Sequence, residues 1–303
     1  MPRRKTGQRV KRGSTEWINI TRPRKSDLID LGKQFNFSED HTKALVADSH
    51  RSRLLESGDS MTLMLVHPTF DAGNDDVVSK ELDVIITSKQ VVTVQRSKIP
   101  GLPEMYDRVV ASKTHESMSH PATLVFAIMH ELVSDIYGTL DTMAVMLDDM
   151  EQGILNKSRI LEDILMMQTN VIDVQKAVDN QSVMLERFVA ALDNRTATKI
   201  QRQYVDLQLH FEEIRNSLRM EQMTAETLHS THETILNSRI NSQVKLLTSL
   251  SLVILPATLL SGIFGMNVSF PHVAGVPINF WMILGLMGVC AVSVYLIGKI
   301  KDR

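Results

Sequence analysis

Small and polar side chains recur every three or four residues in an otherwise apolar segment late in the sequence. The face comprises the polar or small residues Asn241, Thr248, Ser251, Thr258, Gly262 and Gly265, together with Val244 and Leu255. This spacing places all of them on one face of a helix, whereas aliphatic residues such as Leu250 and Leu260 lie on the other side. Such a face either packs closely against another helix or lines a water-filled path. Because one helix cannot enclose a path, the second interpretation requires a symmetric oligomer.

The tripeptide Gly265-Met266-Asn267 ends this polar face, inside a stretch without a charged residue. The stretch covers residues 246–298, which is too long for one bilayer crossing of about 20 residues and suits two. We therefore predict transmembrane helices at 246–264 and 281–298, joined by the outer loop 268–280. Basic residues flank only the two outer ends of this pair, so the positive-inside rule places both termini in the cytosol.

Composition indicates that most of the 303-residue chain is soluble. Lys and Arg number 33 against 35 Asp and Glu, and this balance does not indicate a nucleic-acid partner. We expect residues 1–13 to form a disordered basic tail rather than a signal peptide, with contact to anionic lipid head groups as the alternative. A single cysteine, Cys290, excludes an intrachain disulfide and fits a reducing compartment.

The soluble part is predicted to contain an α+β domain over residues 14–120. Strands are expected at 17–20, 61–67, 81–87 and 90–95, the last two forming a hairpin. Ser26 is predicted to cap a helix that ends at Phe35, and a second helix covers 39–48. Residues 71–76 form a polar loop, and Pro100, Gly101 and Pro103 end the domain's regular structure.

Helical periodicity dominates from Pro121 onward. Residues 121–195 are predicted to form an antiparallel helical pair, with a break at Gly153 and a turn near residues 193–195. A very long stalk helix over 196–267 then continues into the first membrane span. Its apolar stripe comprises Leu207, Phe211, Ile214, Leu218, Ala225, Leu228 and Ile235. Such a stripe needs partner helices from the same chain or from other copies.

Two short motifs frame the first span. Lys245-Leu246-Leu247-Thr248 precedes it, Pro256 lies within it, and Ile263-Phe264-Gly265-Met266-Asn267 ends it. With the Gly-Met-Asn tripeptide at the end of the first of two C-terminal spans, the sequence resembles the CorA family of divalent-metal transporters over nearly its whole length. The resemblance implies a homopentameric funnel with two C-terminal transmembrane helices per chain, a pore built from copies of the first span, and a location in the bacterial inner membrane.

The resemblance also implies roles for individual residues. The selectivity filter would comprise Gly265, Met266 and Asn267. The pore and its hydrophobic gate would comprise Asn241, Val244, Leu247, Ser251, Leu255, Thr258 and Gly262. A basic collar at the cytosolic membrane surface would comprise Lys299, Lys301 and Arg303. Mg²⁺ dehydrates reluctantly, and a ring of Asn267 amide oxygens suits a hydrated ion better than carboxylates that would hold it tightly.

A regulatory metal site follows from the same resemblance. In the family, cytosolic Mg²⁺ bridges acidic residues of neighbouring subunits and holds the pore shut. By position, this implies a site at Asp206, with Asp107 or Glu104 as its partner. The alternative is that Asp206 binds no metal and is a solvated charge on the long helix. Mg²⁺ is thus expected both as the transported ion and as a regulatory one.

The outer loop departs from the family pattern, and the sequence therefore does not decide which divalent ion is transported. The family's loop carries Met-Pro-Glu-Leu, whereas the loop here is free of acids and has His272 as its only titratable residue. A ring of imidazoles would favour Zn²⁺, Co²⁺ or Ni²⁺, although a lone loop histidine has no required role. A ZntB-like zinc transporter of the same superfamily is therefore an alternative, while Met266 favours the magnesium branch.

Two other classes of protein compete with a transporter. An enzyme is not expected, because the sequence has no glycine-rich phosphate loop and no zinc-ligand motif, and His130-Glu131 lacks the second histidine of a metalloprotease helix. His229 and His232 share a helical face without a third ligand nearby. A membrane-anchored coiled-coil protein would explain the long helix, but it leaves the polar face unexplained.

Overall fold

The computed structural model describes residues 7–47, 52–112, 116–155, 159–265 and 280–301. The chain divides into two compact units, Met1–His229 and Ser230–Arg303. Helix α6 is continuous from Asn194 to Gly265 and contributes residues to both units. The first unit is an α+β domain, and the described residues of the second are helical.

A sheet of six strands forms the centre of the first unit among the described residues. The strands are β1 (Gln8–Arg12), β2 (Thr15–Thr21), β3 (Arg53–Ser57), β4 (Ser60–Asp71), β5 (Asp76–Ile86) and β6 (Gln90–Gln95). Their spatial order is β1-β2-β6-β5-β4-β3. Strands β2 and β6 pair in parallel, and the other neighbours pair antiparallel. The predicted hairpin is confirmed, with β5 beginning five residues earlier than expected.

Two α-helices of the described residues lie between β2 and β3, and five follow β6. They are α1 (Lys25–Gln34), α2 (Glu39–Val46), α3 (Leu102–Ala111), α4 (Pro121–Gly153), α5 (Ile160–Ala190), α6 (Asn194–Gly265) and α7 (Phe280–Lys301). Helix α4 ends at the glycine that the sequence predicted as a break. Helix α5 runs antiparallel to α6, since Asp179 contacts Arg215 while Ser182, further along α5, contacts Gln208, an earlier residue of α6.

Alternating strand residues supply two separate cores, because successive side chains of a strand point to opposite faces of the sheet. Trp17 packs edge-to-face on Tyr106 of α3, with ring centroids 5.1 Å apart, in the large core shared with α4, α5 and α6. Ile18 and Ile20 point the other way, into a smaller core under α1 and α2. The sheet is therefore covered on both faces.

Buried polar contacts hold α4 and α5 on the sheet. His67 of β4 is fully buried, and its Nε2 lies 2.7 Å from Oδ2 of Asp135 on α4. Gln181 of α5 donates to the Val66 carbonyl at 3.0 Å. Because an unpaired polar group in such a core would be costly, these bonds select one register of helix on sheet.

The prediction of a disordered tail through residue 13 is wrong for residues 8–12, which form strand β1. Val10 is buried opposite Trp17 of β2, while its basic neighbours Arg9 and Lys11 are exposed. Arg12 donates to the backbone carbonyls of α3 and the residue that follows it. Tertiary pairing with β2 orders a segment whose composition alone indicated disorder.

The cap of α1 also differs from the prediction. Arg24 rather than Ser26 is the N-cap, and the Asp27 carboxylate accepts the Arg24 backbone N–H at 2.9 Å. Strand β3 and helix α3 are not predicted by the sequence patterns. Helix α3 begins after Gly101 with a proline in its first turn, where the pattern predicts only the end of regular structure.

The second unit contains the candidate membrane segment. Among the described helices, α6 has a stretch that is apolar and long enough to cross a membrane, and no residue of this stretch is buried. Helix α7 covers the predicted second span and holds a shorter apolar run, Leu284–Ser293.

Candidate functional site

The polar face of α6 is exposed within the second unit. Val244, Leu247 and Leu255 expose 55%, 67% and 71% of their surface. The hydroxyls of Ser251 and Thr258 donate to their own helix, to the carbonyls of Leu247 and Ile254, each at 2.9 Å. Because each hydroxyl proton is used within the helix, the oxygen lone pairs are the groups left for solvent or a hydrated ion.

The predicted filter lies at the end of this face. Gly265 is the last residue of α6, whereas Met266, Asn267 and residues 268–279 of the predicted outer loop, with His272, lie outside the described residues. The last residue of that predicted loop, Phe280, is the first of α7. Lys299 and Lys301 belong to the last turn of α7, and Arg303 also lies outside the described residues. The roles of the filter and the collar therefore stay predictions.

A second candidate site lies in the first unit, where side chains of α4 and α6 meet. His130 of α4 meets Asp206 and His210 of α6, and one donor atom from each lies within 4.8 Å of the other two. His130 Nε2 is 3.3 Å and His210 Nε2 is 3.9 Å from Asp206 Oδ2. The two imidazole rings meet edge-to-face with centroids 5.2 Å apart. We call these three residues the His–Asp cluster.

Two further residues orient His210 from its other side. The Tyr137 hydroxyl lies 3.1 Å from His210 Nδ1 and donates to Glu213 Oε2 at 2.8 Å. Burial, assisted by the hydrogen bond and the charge of Glu213, raises the pKa of Tyr137. The phenol therefore stays protonated and keeps donating to Glu213, which leaves its oxygen to accept the Nδ1 proton of His210.

A cavity of about 470 Å³ lies beside the His–Asp cluster, between α3, α4 and α6. His130 and Asp206 belong to its wall, and so do Arg108 and Glu131, which form an ion pair at 2.6 Å. Gly101, the N-cap of α3, lies next to this pair with φ at +79°, and a Cβ there would lie 2.9 Å from Glu131. The positive φ and the close approach both favour glycine.

The structure does not join Asp206 to the partners that the sequence analysis named. Glu104 lies 3.4 Å from Lys98, and Asp107 is exposed on α3. Within the described part of this single chain, no hydrogen bond or ion pair links either acid to Asp206. The histidines were missed because His130 is 76 residues from Asp206 in sequence. The spacing of Asp206 and His210, four residues apart on one helix, was the available signal.

Comparison with known proteins gives the family. The family model described as CorA-like Mg²⁺ transporter protein matches residues 12–299. The cobalt/magnesium transport protein CorA of Methanocaldococcus jannaschii is 23% identical over 287 residues, which cover 90% of this chain and 86% of the relative.

Solved structures show the same fold. The complete structure of the CorA magnesium transporter from Methanocaldococcus jannaschii has a TM-score of 0.81 at 19% identity, and the match covers 94% of this chain and 90% of that one. The cytoplasmic domain of ZntB from Vibrio parahaemolyticus has a TM-score of 0.62 at 13% identity, with 75% and 89% covered. The CorA structure is thus the better fit of the two. With a family model matched along almost its full length, this chain belongs to the CorA-like Mg²⁺ transporter family of divalent-cation transporters.

Proposed function

We propose that the chain assembles as a homopentamer that passes hydrated Mg²⁺ across a membrane along an axis lined by the polar face of α6. The observation that carries this proposal is the exposed row of hydroxyl and small residues, whose hydroxyl protons are donated within their own helix. Val244 and Leu255 of this face, with Leu247 beside them, form the gate, since a narrow apolar ring excludes water and with it a hydrated ion.

Selection of the ion occurs at Asn267 in this proposal. Mg²⁺ binds oxygen ligands in octahedral geometry and gives up its waters reluctantly. Neutral amide oxygens accept hydrogen bonds from those waters without removing them, so the ion passes instead of being trapped. The Methanocaldococcus relative is named a cobalt/magnesium transport protein, which supports Co²⁺ as a second substrate.

A second apolar stripe on α6 supports assembly. The buried stripe of the first unit, which includes Phe211 and Leu218, packs within the chain. On the opposite side of the same helix, Val205, Leu209, Met220 and Met223 expose 48%, 59%, 70% and 62% of their surface. A helix that is apolar on two opposite faces has one face left for another chain, and in this proposal α6 of the neighbouring subunit covers it.

A matched pair of cysteines tests the pore. In a Cys290→Ser background reconstituted into liposomes, Ser251→Cys places a thiol on the polar face and Leu260→Cys, nine residues further along the same helix, places one on the opposite face. We expect a charged, water-borne thiol reagent to block Mg²⁺ uptake through Ser251→Cys and to leave Leu260→Cys unaffected. Block of Leu260→Cys alone would contradict the proposed orientation of α6, and an absence of Mg²⁺ uptake by the unsubstituted protein would contradict the function.

The ZntB-like alternative makes a different prediction in the same liposomes. A zinc transporter would carry Zn²⁺ in preference to Mg²⁺. Uptake measured with Mg²⁺, Co²⁺, Ni²⁺ and Zn²⁺ in competition separates the two functions, and we expect excess Mg²⁺ to suppress uptake of the other ions.

A further inference from the structure

We propose that the His–Asp cluster binds a transition-metal ion, such as Zn²⁺, Co²⁺ or Ni²⁺, within a single chain. The ion would be held by His130 Nε2, Asp206 Oδ2 and His210 Nε2, with water completing its coordination. A regulatory role for this ion rests on the proposed function, whereas its binding does not. The sequence resemblance implied Mg²⁺ between carboxylates at Asp206, so this assignment changes both the ion and the ligands.

The distances between the donor atoms are close to those of a coordinated set. Zinc binds imidazole nitrogen and carboxylate oxygen at about 2.0–2.2 Å, so two ligands of a tetrahedral ion lie roughly 3.3 Å apart. His130 Nε2 lies 3.3 Å from Asp206 Oδ2, and His210 Nε2 lies 3.9 Å from it. Small side-chain rotations bring the three atoms around one ion, and all three side chains are reachable from solvent, with 30–55% of each exposed.

The hydrogen bonds on the far side of His210 form a second, independent indication of metal binding. A histidine that ligates a metal almost always donates its other ring N–H to an oxygen acceptor, which holds the ring and selects the tautomer. Here Nδ1 faces the Tyr137 oxygen at 3.1 Å and Glu213 Oε2 at 3.4 Å. With the proton on Nδ1, Nε2 is left unprotonated and available to a metal ion, 3.9 Å from Asp206 Oδ2.

The donor types exclude Mg²⁺ as the preferred ion of the cluster. Mg²⁺ takes oxygen ligands, and the cluster offers one carboxylate and two imidazoles. Imidazole nitrogen instead suits Zn²⁺, Co²⁺ and Ni²⁺. An ordinary ion pair between a histidine and an aspartate would need neither the second imidazole nor the support of Tyr137 and Glu213.

The binding test uses Co²⁺ as a coloured probe on the purified full chain in detergent. We expect visible ligand-field absorption that saturates at one Co²⁺ per chain and is abolished by Zn²⁺. The double variant His130→Ala/His210→Ala should lose this signal, while His229→Ala, which removes a histidine of the same helix outside the cluster, should keep it. Any Co²⁺ in the pore contributes equally to all three proteins, so their difference isolates the cluster.

A more conservative variant separates coordination from a merely structural role. Tyr137→Phe keeps the ring and removes only the hydroxyl that positions His210. We expect Co²⁺ affinity to fall by about tenfold, within the range for loss of an outer-shell partner, with the absorption spectrum retained. Unchanged affinity in Tyr137→Phe would overturn the positioning role of this residue.

Two results would overturn the proposal itself: equal Co²⁺ binding by the double variant and the unsubstituted protein, or displacement of Co²⁺ by an equal concentration of Mg²⁺. Regulation is tested separately. Mg²⁺ uptake by liposomes is measured with and without micromolar Zn²⁺ on the side of the membrane that carries the soluble domain. Zn²⁺ should reduce uptake by the unsubstituted protein and not by the double variant. Because Co²⁺ absorption needs no transport, failure of the site and failure of the transport function are distinguishable.

Discussion

Glu221 of α6 is a buried acid that the proposed ion path does not use. It exposes 7% of its surface, and its Oε2 has no hydrogen-bond partner among the described residues. Burial, and to a smaller extent the charge of Asp141 on α4, raises its pKa from the ordinary 4.5 to about 7. The ionised form is therefore unfavourable in the folded chain, and this residue couples folding to pH.

We predict that Glu221→Gln stabilises the protein at pH 8 and weakens its pH dependence. Between pH 4.5 and about 7 the folded chain binds a proton that the unfolded chain has lost, so the free energy of unfolding falls as pH rises through this window. The variant removes the buried charge and should gain about 1–3 kcal/mol at pH 8. Thermal unfolding of the detergent-solubilised protein at pH 5 and pH 8 measures this effect.

Asp83, whose pKa burial also raises to about 7, leaves part of the pH dependence in place in this variant. Glu226→Gln is the matched control, since Glu226 is exposed on the same helix and should show neither effect. A stability of Glu221→Gln equal to that of the unsubstituted protein at pH 8 would contradict an ionised, unpaired Glu221.

Helix α6 is the element on which both candidate sites depend. In the first unit its Asp206 and His210 contribute to the His–Asp cluster, and in the second unit it carries the polar face. Its side chains change character along the helix, from two apolar stripes with polar flanks to an apolar surface interrupted by hydroxyl and small residues. The periodicity of a helix keeps each of these sets on one side, and this makes the assignments possible from the sequence.

We predict that charges on the exposed stripe of α6 prevent assembly without unfolding the chain. Met220→Glu/Met223→Glu should shift the detergent-solubilised particle from an oligomer to smaller species. Assembly would bury two carboxylates per chain in the interface, and the loss of their hydration is costly. The mass by light scattering checks this. Phe211→Ala on the buried stripe serves as the contrast, with a stability loss of about 3–5 kcal/mol. An unchanged particle mass for the double variant would show that this stripe is not part of the interface between subunits.

At the scale of the whole molecule, transport is expected to depend on Asn267 while assembly does not. We predict that Asn267→Ala abolishes selective Mg²⁺ uptake by liposomes, since a methyl group cannot accept hydrogen bonds from the waters of the ion. The particle mass should equal that of the unsubstituted protein, which separates a filter defect from a folding defect. Normal, selective Mg²⁺ uptake through this variant would defeat the assignment of Asn267.

Much of the fold was predictable because it follows from local patterns. The alternation in β2 and the hairpin of β5 and β6 correspond to the apolar and β-branched runs of the sequence, and the helices from Pro121 onward follow the 3.6-residue period. Two of the errors have different causes. Strand β1 is ordered by its pairing with β2, a contact that overrides the composition of the segment. The α1 cap is decided locally, since the Asp27 carboxylate accepts the Arg24 backbone N–H three residues earlier.

The sequence by itself determined the family, the helix that carries the polar face, and the place of the Gly265-Met266-Asn267 tripeptide at its end, because each is a property of neighbouring residues on one helix. Only the tertiary structure decided that His130 meets Asp206 and His210, that Tyr137 and Glu213 orient this histidine, and that Glu221 is buried. These contacts join α4 to α6 across 76 residues of chain in the case of His130 and Asp206. No periodicity within either helix specifies which residues of the other it will face, since that choice is made by the packing of both helices in the core they share with the sheet.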